Sequence, residues 1–131
     1  MYGVQERPAK PLTTDGWAGN EDFLYGVDLF NAGYFWEAHV FWERLWALEE
    51  TESEIRRFLQ AIIQTAAACL KARQGEIAGA RKLLEKARLE SFEGSVLGID
   101  AGTLAREARN FIEQGDDPPK IVLSKYESEG L

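Results

Sequence analysis

Residues 29–46 read LFNAGYFWEAHVFWERLW, and this stretch decides the fold. The first helix, which Asn20 can cap, ends at Gly33, because glycine readily takes the left-handed backbone conformation that closes a helix. From Tyr34 to Leu48, apolar side chains recur on nearly every side of a second helix. A helix of that kind needs neighbours on more than one side. The stretch therefore predicts a helical hairpin that turns at Gly33 and has its second helix packed between others.

The pattern of this hairpin occurs twice in the chain. Gly75 follows Gly33 by 42 residues, and the small and apolar positions after each glycine have the same offsets. The matching positions are Gly33, Ala38, Trp42 and Leu45 in the first unit and Gly75, Ala80, Leu84 and Ala87 in the second. The first unit resembles a tetratricopeptide-type hairpin. Two such units are too few for a solenoid of that class, so we predict two hairpins closed into a compact bundle.

Three further helices follow from the periodicity of apolar residues. The first runs from Ile55 until Gly75, and the other two cover 77–89 and 104–114. Thr51 or Ser53 can cap the first of these, and Asp100 or Thr103 the last. Residues 91–102 contain three glycines and are predicted to be a connection. No segment alternates strongly enough to predict a sheet.

The predicted fold class is therefore all-α, a compact bundle of about five helices built on two tetratricopeptide-like αα-hairpins. One domain is the default for a chain of 131 residues. We divide the chain into an extended N-terminal arm over 1–19, a single helical domain over 20–115 and a C-terminal tail over 116–131.

Composition and charge exclude several classes of function. The net charge of −7 repels phosphate backbones and anionic lipid surfaces, so neither nucleic acid nor membrane is a predicted partner. Residues 1–10 lack the apolar segment of a signal peptide, and no apolar run approaches the roughly 18 residues that span a bilayer. We predict a cytoplasmic protein. Cys69, the single cysteine, lies in an apolar run and is predicted to be a buried thiol.

Polar residues inside the most apolar helices are the candidates for function. His39 and Glu43 are four residues apart and share one face of the second helix, and Gln60 and Gln64 repeat that spacing on the third. If these helices pack together, the four side chains can form one polar network that fixes the helix register. Alternatively, Glu43 orients His39 for proton transfer or metal binding. Glu37 lies about 160° from His39 around the helix and is predicted to meet a different neighbour.

Three tryptophans and one asparagine accompany these residues. We interpret Trp36, Trp42 and Trp46 as part of the core rather than as a ligand cage, although an apolar pocket lined by them is an alternative. Asn31 is a further polar candidate in the turn before the second helix.

No cofactor is predicted. Zinc catalysis usually uses three protein ligands, and the chain has one histidine and one cysteine. The di-iron bundle motif needs Glu-x-x-His twice, and the spacing here is Glu37-x-His39 once. His39 and Glu43 are thus the candidates for any metal. Phosphate-binding glycine loops and nucleophile elbows are absent from the sequence.

Taken together, these motifs resemble a known family, the small helical proteins called domain of unknown function 309. The resemblance rests on 29–33, Phe35, 37–39, Glu43, 58–60, 63–64, 79–80 and 98–100, and it covers about residues 22–112. Val40 follows His39 where the family usually has a second glutamate. The resemblance implies a compact all-α domain of no established activity.

Two functions follow as hypotheses. The first is a protein-interaction module that self-associates or docks to a partner protein, because the second helix is apolar on several sides and a complete catalytic set is missing. The second is a hydrolase or metal-dependent enzyme that uses His39 and Glu43, supported by Gln60, Gln64 or Asn31.

Overall fold

The computed structural model describes residues 9–124, and five α-helices make up most of that length. The helices are α1 (Glu21–Asn31), α2 (Phe35–Trp46), α3 (Glu54–Arg73), α4 (Ile77–Ala87) and α5 (Ala101–Gln114). The predicted all-α fold class is confirmed. Within 9–124, no helix combines the length and the apolar character needed to cross a membrane. Residues 1–8 of the predicted arm and 125–131 of the predicted tail lie outside the described residues.

Three of the helices begin at side-chain caps that the sequence predicts. Asn20, Ser53 and Asp100 each accept a hydrogen bond from the backbone N–H three residues on, at 3.0 Å. Such a cap pairs one of the N–H groups that the first turn of a helix leaves without a partner. The caps therefore set where α1, α3 and α5 start.

The two hairpin turns have the same backbone structure. Gly33 and Gly75 have φ angles of 88° and 85°. In both turns, the N–H of the residue after the glycine donates to the carbonyl five residues earlier, at 2.8 Å. This is the hydrogen bond of a Schellman motif, which closes a helix through a left-handed residue. The predicted repeat of two αα-hairpins is thus confirmed at its turns.

Helix α2 lies between α1 and α3, as its apolar composition predicts. Its stripe of buried side chains faces these neighbours and consists of Phe35, Ala38, Phe41, Trp42 and Leu45. Helix α3 runs antiparallel to α2, so its ends reach opposite ends of that helix. The Arg73 guanidinium donates to the Gly33 carbonyl at 2.6 Å and lies 4.8 Å from the Phe35 ring centre. Helix α3 thus secures the first hairpin turn.

The connection from α4 to α5 contains a short strand pair that the sequence pattern does not reveal. Strands β1 (Ser95–Val96) and β2 (Ile99–Asp100) form an antiparallel pair. Leu97 and Gly98 join them with φ angles of 52° and 77°, the sign that a two-residue hairpin turn of type I′ requires. Strands of two residues are too short for alternation to reveal. Helix α4 also ends two residues earlier than predicted, because Arg88 is left-handed.

Residues on both sides of the helical bundle pack onto it. Leu12 is buried, and its backbone N–H donates to Glu49 at 3.2 Å. Ile121 is also part of the core, and the N–H of Ser124 donates to the carbonyl of Gly98 at 2.9 Å. The described parts of the arm and of the tail therefore complete the core that the helices begin.

Cys69 is buried on α3, as predicted. Burial raises the pKa of its thiol to about 12. A thiol in this environment stays protonated at neutral pH, and it acts as a small apolar side chain in the core.

Candidate functional site

The side of α2 that faces away from α1 and α3 is open to solvent. Trp36, Val40 and Glu43 are spaced i, i+4 and i+7, which places them on one face, and we call this the open face of α2. Trp36 is 58% exposed and its neighbour Tyr34 is 56% exposed. The interpretation of Trp36 as a core residue is therefore wrong. A helix that is apolar on all sides does not reveal from its sequence which side its neighbours leave uncovered.

His39 lies at the border between the open face and the interior. Its Nε2 is 3.4 Å from Oε2 of Glu43, and the Trp36 ring stacks on the imidazole with centres 5.0 Å apart and planes 27° from parallel. The side chain of His39 is 19% exposed and that of Glu43 is 53% exposed. The structure thus brings together the predicted pair, and it adds Trp36 as a third member.

The second ring nitrogen of His39 points the other way. Nδ1 is buried and has no hydrogen-bond partner among the described residues. A catalytic imidazole is usually oriented by a hydrogen bond at its second nitrogen. In this arrangement the stacked tryptophan and Glu43 hold the ring instead.

Trp42 and Trp46 have different environments. Trp42 is fully buried, and its Nε1 donates to the carbonyl of Phe23 at 3.3 Å across the contact with α1. Trp46 is half-buried beneath Arg56, whose guanidinium lies 3.8 Å from the ring centre. Arg56 also donates to the carbonyls of Trp46 and Glu49, at 3.2 and 3.0 Å. Both tryptophans therefore serve packing between helices.

Asn31 binds the backbone of a distant segment. Its side-chain amide donates to the carbonyl of Ile121 at 2.8 Å, and its side-chain oxygen accepts from the N–H of the same residue at 2.7 Å. The Lys120 ammonium donates to the Asn31 carbonyl at 3.0 Å. Asn31 thus fastens the segment after α5 to the end of α1, a role that the sequence around it does not indicate.

Gln60 and Gln64 lie apart from the pair on α2. Within residues 9–124, no hydrogen bond joins either glutamine to His39 or Glu43. Both instead line a groove between α3, α4 and the turn that follows α4. Glu37 is half-buried, and its side chain makes no hydrogen bond or ion pair within the described range. His39 and Glu43 on α2 therefore form one group, and Gln60 and Gln64 on α3 form another.

The groove that Gln60 and Gln64 line also contains basic side chains. It has a volume of about 340 Å³. Its lining is Arg57, Gln60, Ala61, Gln64, Lys86, Ala87, Arg88, Ser91 and Phe92, which we call the basic groove. Arg57 belongs to α3, and Lys86 and Arg88 belong to the end of α4, so their convergence depends on how these two helices pack. Sequence spacing alone does not contain that information.

A second groove lies between α4 and α5, and two ion pairs line it beside Glu85 and Arg88. Arg81 donates to both carboxylate oxygens of Glu113, at 2.6 and 2.7 Å, and Arg109 pairs with Glu90. The hydrogen bond from Arg81 lowers the pKa of Glu113 and raises that of Arg81.

Among the residues that the structure describes, no cluster of three or more His, Cys, Asp or Glu side chains is arranged to hold a metal ion.

Comparison with protein-family models matches residues 23–83 to DUF309, a domain of unknown function. The matched range runs from α1 into α4 and contains both hairpin turns. This match confirms the family that the sequence motifs predict. A search of the curated proteins gives no match.

Proposed function

We propose that this chain, whose residues 23–83 match DUF309, is a protein-interaction module that binds a basic partner on the open face of α2. The family description assigns no activity, so the proposal rests on the surface itself. The observation that carries it is the exposure of two neighbouring aromatic side chains, Tyr34 and Trp36. Most of the other aromatic side chains in the described part of the chain are buried. Tyrosine and tryptophan are enriched among the residues that dominate binding energy at interfaces.

Trp36 is held in place before any partner arrives. Its ring stacks on His39, and His39 is held in turn by Glu43. A side chain that is already ordered loses little conformational freedom on binding, so more of its contact energy contributes to affinity. This arrangement gives the His39–Glu43 pair a positioning role in recognition.

The acidic charge of the segment that contains Trp36 favours a partner that carries lysine or arginine. Residues 20–50 contain seven acidic residues and one arginine, and Glu43 lies on the open face itself. Two copies of this face would bring like charges together, which disfavours self-association there. A basic segment with an apolar anchor complements both the charge and the aromatic surface.

Selection of binders from a random peptide library tests the proposal. We expect the parent protein to enrich peptides that combine positive charge with aliphatic or aromatic residues. Trp36→Ala should abolish their binding, because it removes the anchor. Leu48→Ala is the matched control, since Leu48 is also exposed but lies beyond the end of α2. Glu43→Gln should weaken binding most at low salt.

Other outcomes would contradict the proposal. Selected peptides that are acidic, or that bind the Trp36→Ala variant as well as the parent, would exclude the open face as the basic-partner site. Sedimentation of the parent as a dimer that Trp36→Ala dissociates would favour self-association. A hydrolytic activity that His39→Ala abolishes would favour the enzyme hypothesis.

A further inference from the structure

The basic groove has an unusual balance of charge for this protein. Its lining contains Arg57, Lys86 and Arg88 and no carboxylate. The chain as a whole has a net charge of −7. Three cations therefore line one concave surface of an acidic molecule. Their mutual repulsion costs free energy, which an anion bound between them would offset.

The cations of the basic groove have no carboxylate partner among the described residues. Within residues 9–124, Arg57, Lys86 and Arg88 form no ion pair. Elsewhere in the described chain, ion pairs with acidic side chains are formed by Arg44, Lys71, Arg81 and Arg109. Other basic residues, such as Lys82 and Arg106, also lack an ion pair within the described range, but they lie outside this groove. Three cations that no described carboxylate neutralises therefore line one concave surface.

The backbone at Arg88 adds a second, independent observation. Arg88 has φ 51° and ψ 46°, the left-handed conformation at the end of α4 where glycine is the common residue. The N–H and the hydroxyl of Ser91 both donate to the Arg88 carbonyl, at 2.9 and 2.7 Å. A long charged side chain therefore occupies a strained position that is fixed by hydrogen bonds. Strain of this kind concentrates at functional positions.

The neutral groups of the groove define the kind of anion that fits. Gln60 and Gln64 present amides from one face of α3, and Ser91 presents a hydroxyl oxygen. Phe92 is the aromatic part of the lining, with the Arg57 guanidinium 5.8 Å from its ring centre. A volume of about 340 Å³ is at the small end of ligand sites.

From these features we infer that the basic groove binds a small phosphorylated organic molecule. Guanidinium and ammonium groups suit the oxygens of a phosphate monoester, which carries between one and two negative charges at neutral pH. The glutamine amides suit hydroxyl or carbonyl groups on the organic part, and the apolar lining suits its carbon skeleton. The inference does not depend on the proposed function, because the basic groove and the open face of α2 share no residue.

Titration of the isotope-labelled protein with inorganic phosphate and with glycerol 3-phosphate, followed by NMR, tests the inference. Ionic strength is held constant with chloride. We expect saturable shifts of the side-chain amides of Gln60 and Gln64, with glycerol 3-phosphate binding more tightly than phosphate. Arg88→Gln should weaken binding about tenfold, the effect of losing one charge-assisted contact. Arg106→Gln is the control, because Arg106 is an exposed arginine of α5 outside the groove.

Arg88→Gly separates binding from folding. Glycine fits the left-handed backbone without strain, so this variant should melt at or above the temperature of the parent while phosphate binding weakens about tenfold, as in Arg88→Gln. Shifts that do not saturate, or that match those of chloride alone, would overturn the inference. So would equal loss of binding in Arg106→Gln, unchanged binding in Arg88→Gly, or tighter binding of the dicarboxylate succinate than of glycerol 3-phosphate.

Discussion

Replacement of Gly26 by alanine is expected to destabilise the contact between α1 and α2. A β-carbon at Gly26 would lie 2.3 Å from Nε1 of Trp42 and 2.6 Å from its Cδ1. Trp42 is fully buried, and its Nε1 donates to the carbonyl of Phe23. The indole is therefore surrounded by core atoms, and moving it away also breaks a buried hydrogen bond.

The size of the effect follows from three contributions. Overpacking of a core typically costs about 1 to 3 kcal/mol. Loss of the buried indole hydrogen bond costs about 1 to 3 kcal/mol more. Alanine regains about 1 kcal/mol relative to glycine inside a helix. We expect a net loss of about 3 kcal/mol for Gly26→Ala, which lowers the melting temperature of a domain of this size by roughly 10 °C.

Gly79→Ala is the matched control, because Gly79 is also inside a helix. Its added β-carbon would lie 3.0 Å from Cδ of Lys71, a flexible side chain that can move. This variant should keep or exceed the stability of the parent by up to about 1 kcal/mol. Chemical denaturation of both variants measures the difference. Unfolding of Gly26→Ala within 1 kcal/mol of the parent would refute the close approach of α1 to Trp42 as a constraint on the fold.

Three further variants probe other contacts. Asn31→Ala removes both hydrogen bonds to Ile121 and should destabilise the fold by about 1 to 3 kcal/mol, with faster hydrogen exchange at Ile121 than in the parent. Burial raises the pKa of the Cys69 thiol from 9.0 to about 12, so the thiol ionises at lower pH in the unfolded state than in the folded state. The free energy of unfolding of the parent should therefore fall, relative to that of Cys69→Ala, between pH 9.0 and about 12. The expected slope is about 1.4 kcal/mol per pH unit. Because Arg81 lowers the pKa of Glu113, their ion pair stabilises the folded state above the ordinary glutamate pKa. The difference in unfolding free energy between the parent and Glu113→Gln should disappear as pH falls below the lowered pKa. Denaturation at several pH values measures this difference.

The helices and their turns could be predicted from the sequence because both depend on local structure. The 3.6-residue period identifies a helix wherever one side is buried, and Gly33 and Gly75 interrupt that period at equivalent points. Capping by Asn20 and Ser53 also involves residues only three positions apart. Interactions of this range are encoded in neighbouring residues, so a single sequence contains them.

The candidate site could be predicted only in part, because most of it depends on packing. The His39–Glu43 contact is a local i, i+4 pair and was predictable. The exposure of Trp36 depends on which side of α2 its neighbours leave open. The convergence of Arg57, Lys86 and Arg88 depends on the contact of α3 with α4. Periodicity gives the angle of a residue around its own helix and does not give the identity of the residue that faces it.

The hydrogen bonds between Asn31 and Ile121 join segments 90 residues apart, and this separation has a consequence during synthesis of the protein. At roughly 5 to 20 residues per second, a ribosome needs about 5 to 18 seconds to proceed from one partner to the other. During that interval both hairpins can form, since their contacts are local, while the surface of α1 that receives Ile121 stays uncovered. The nascent chain therefore passes through a stage with native helices and an incomplete core, and a chaperone that recognises apolar surface would act on it then.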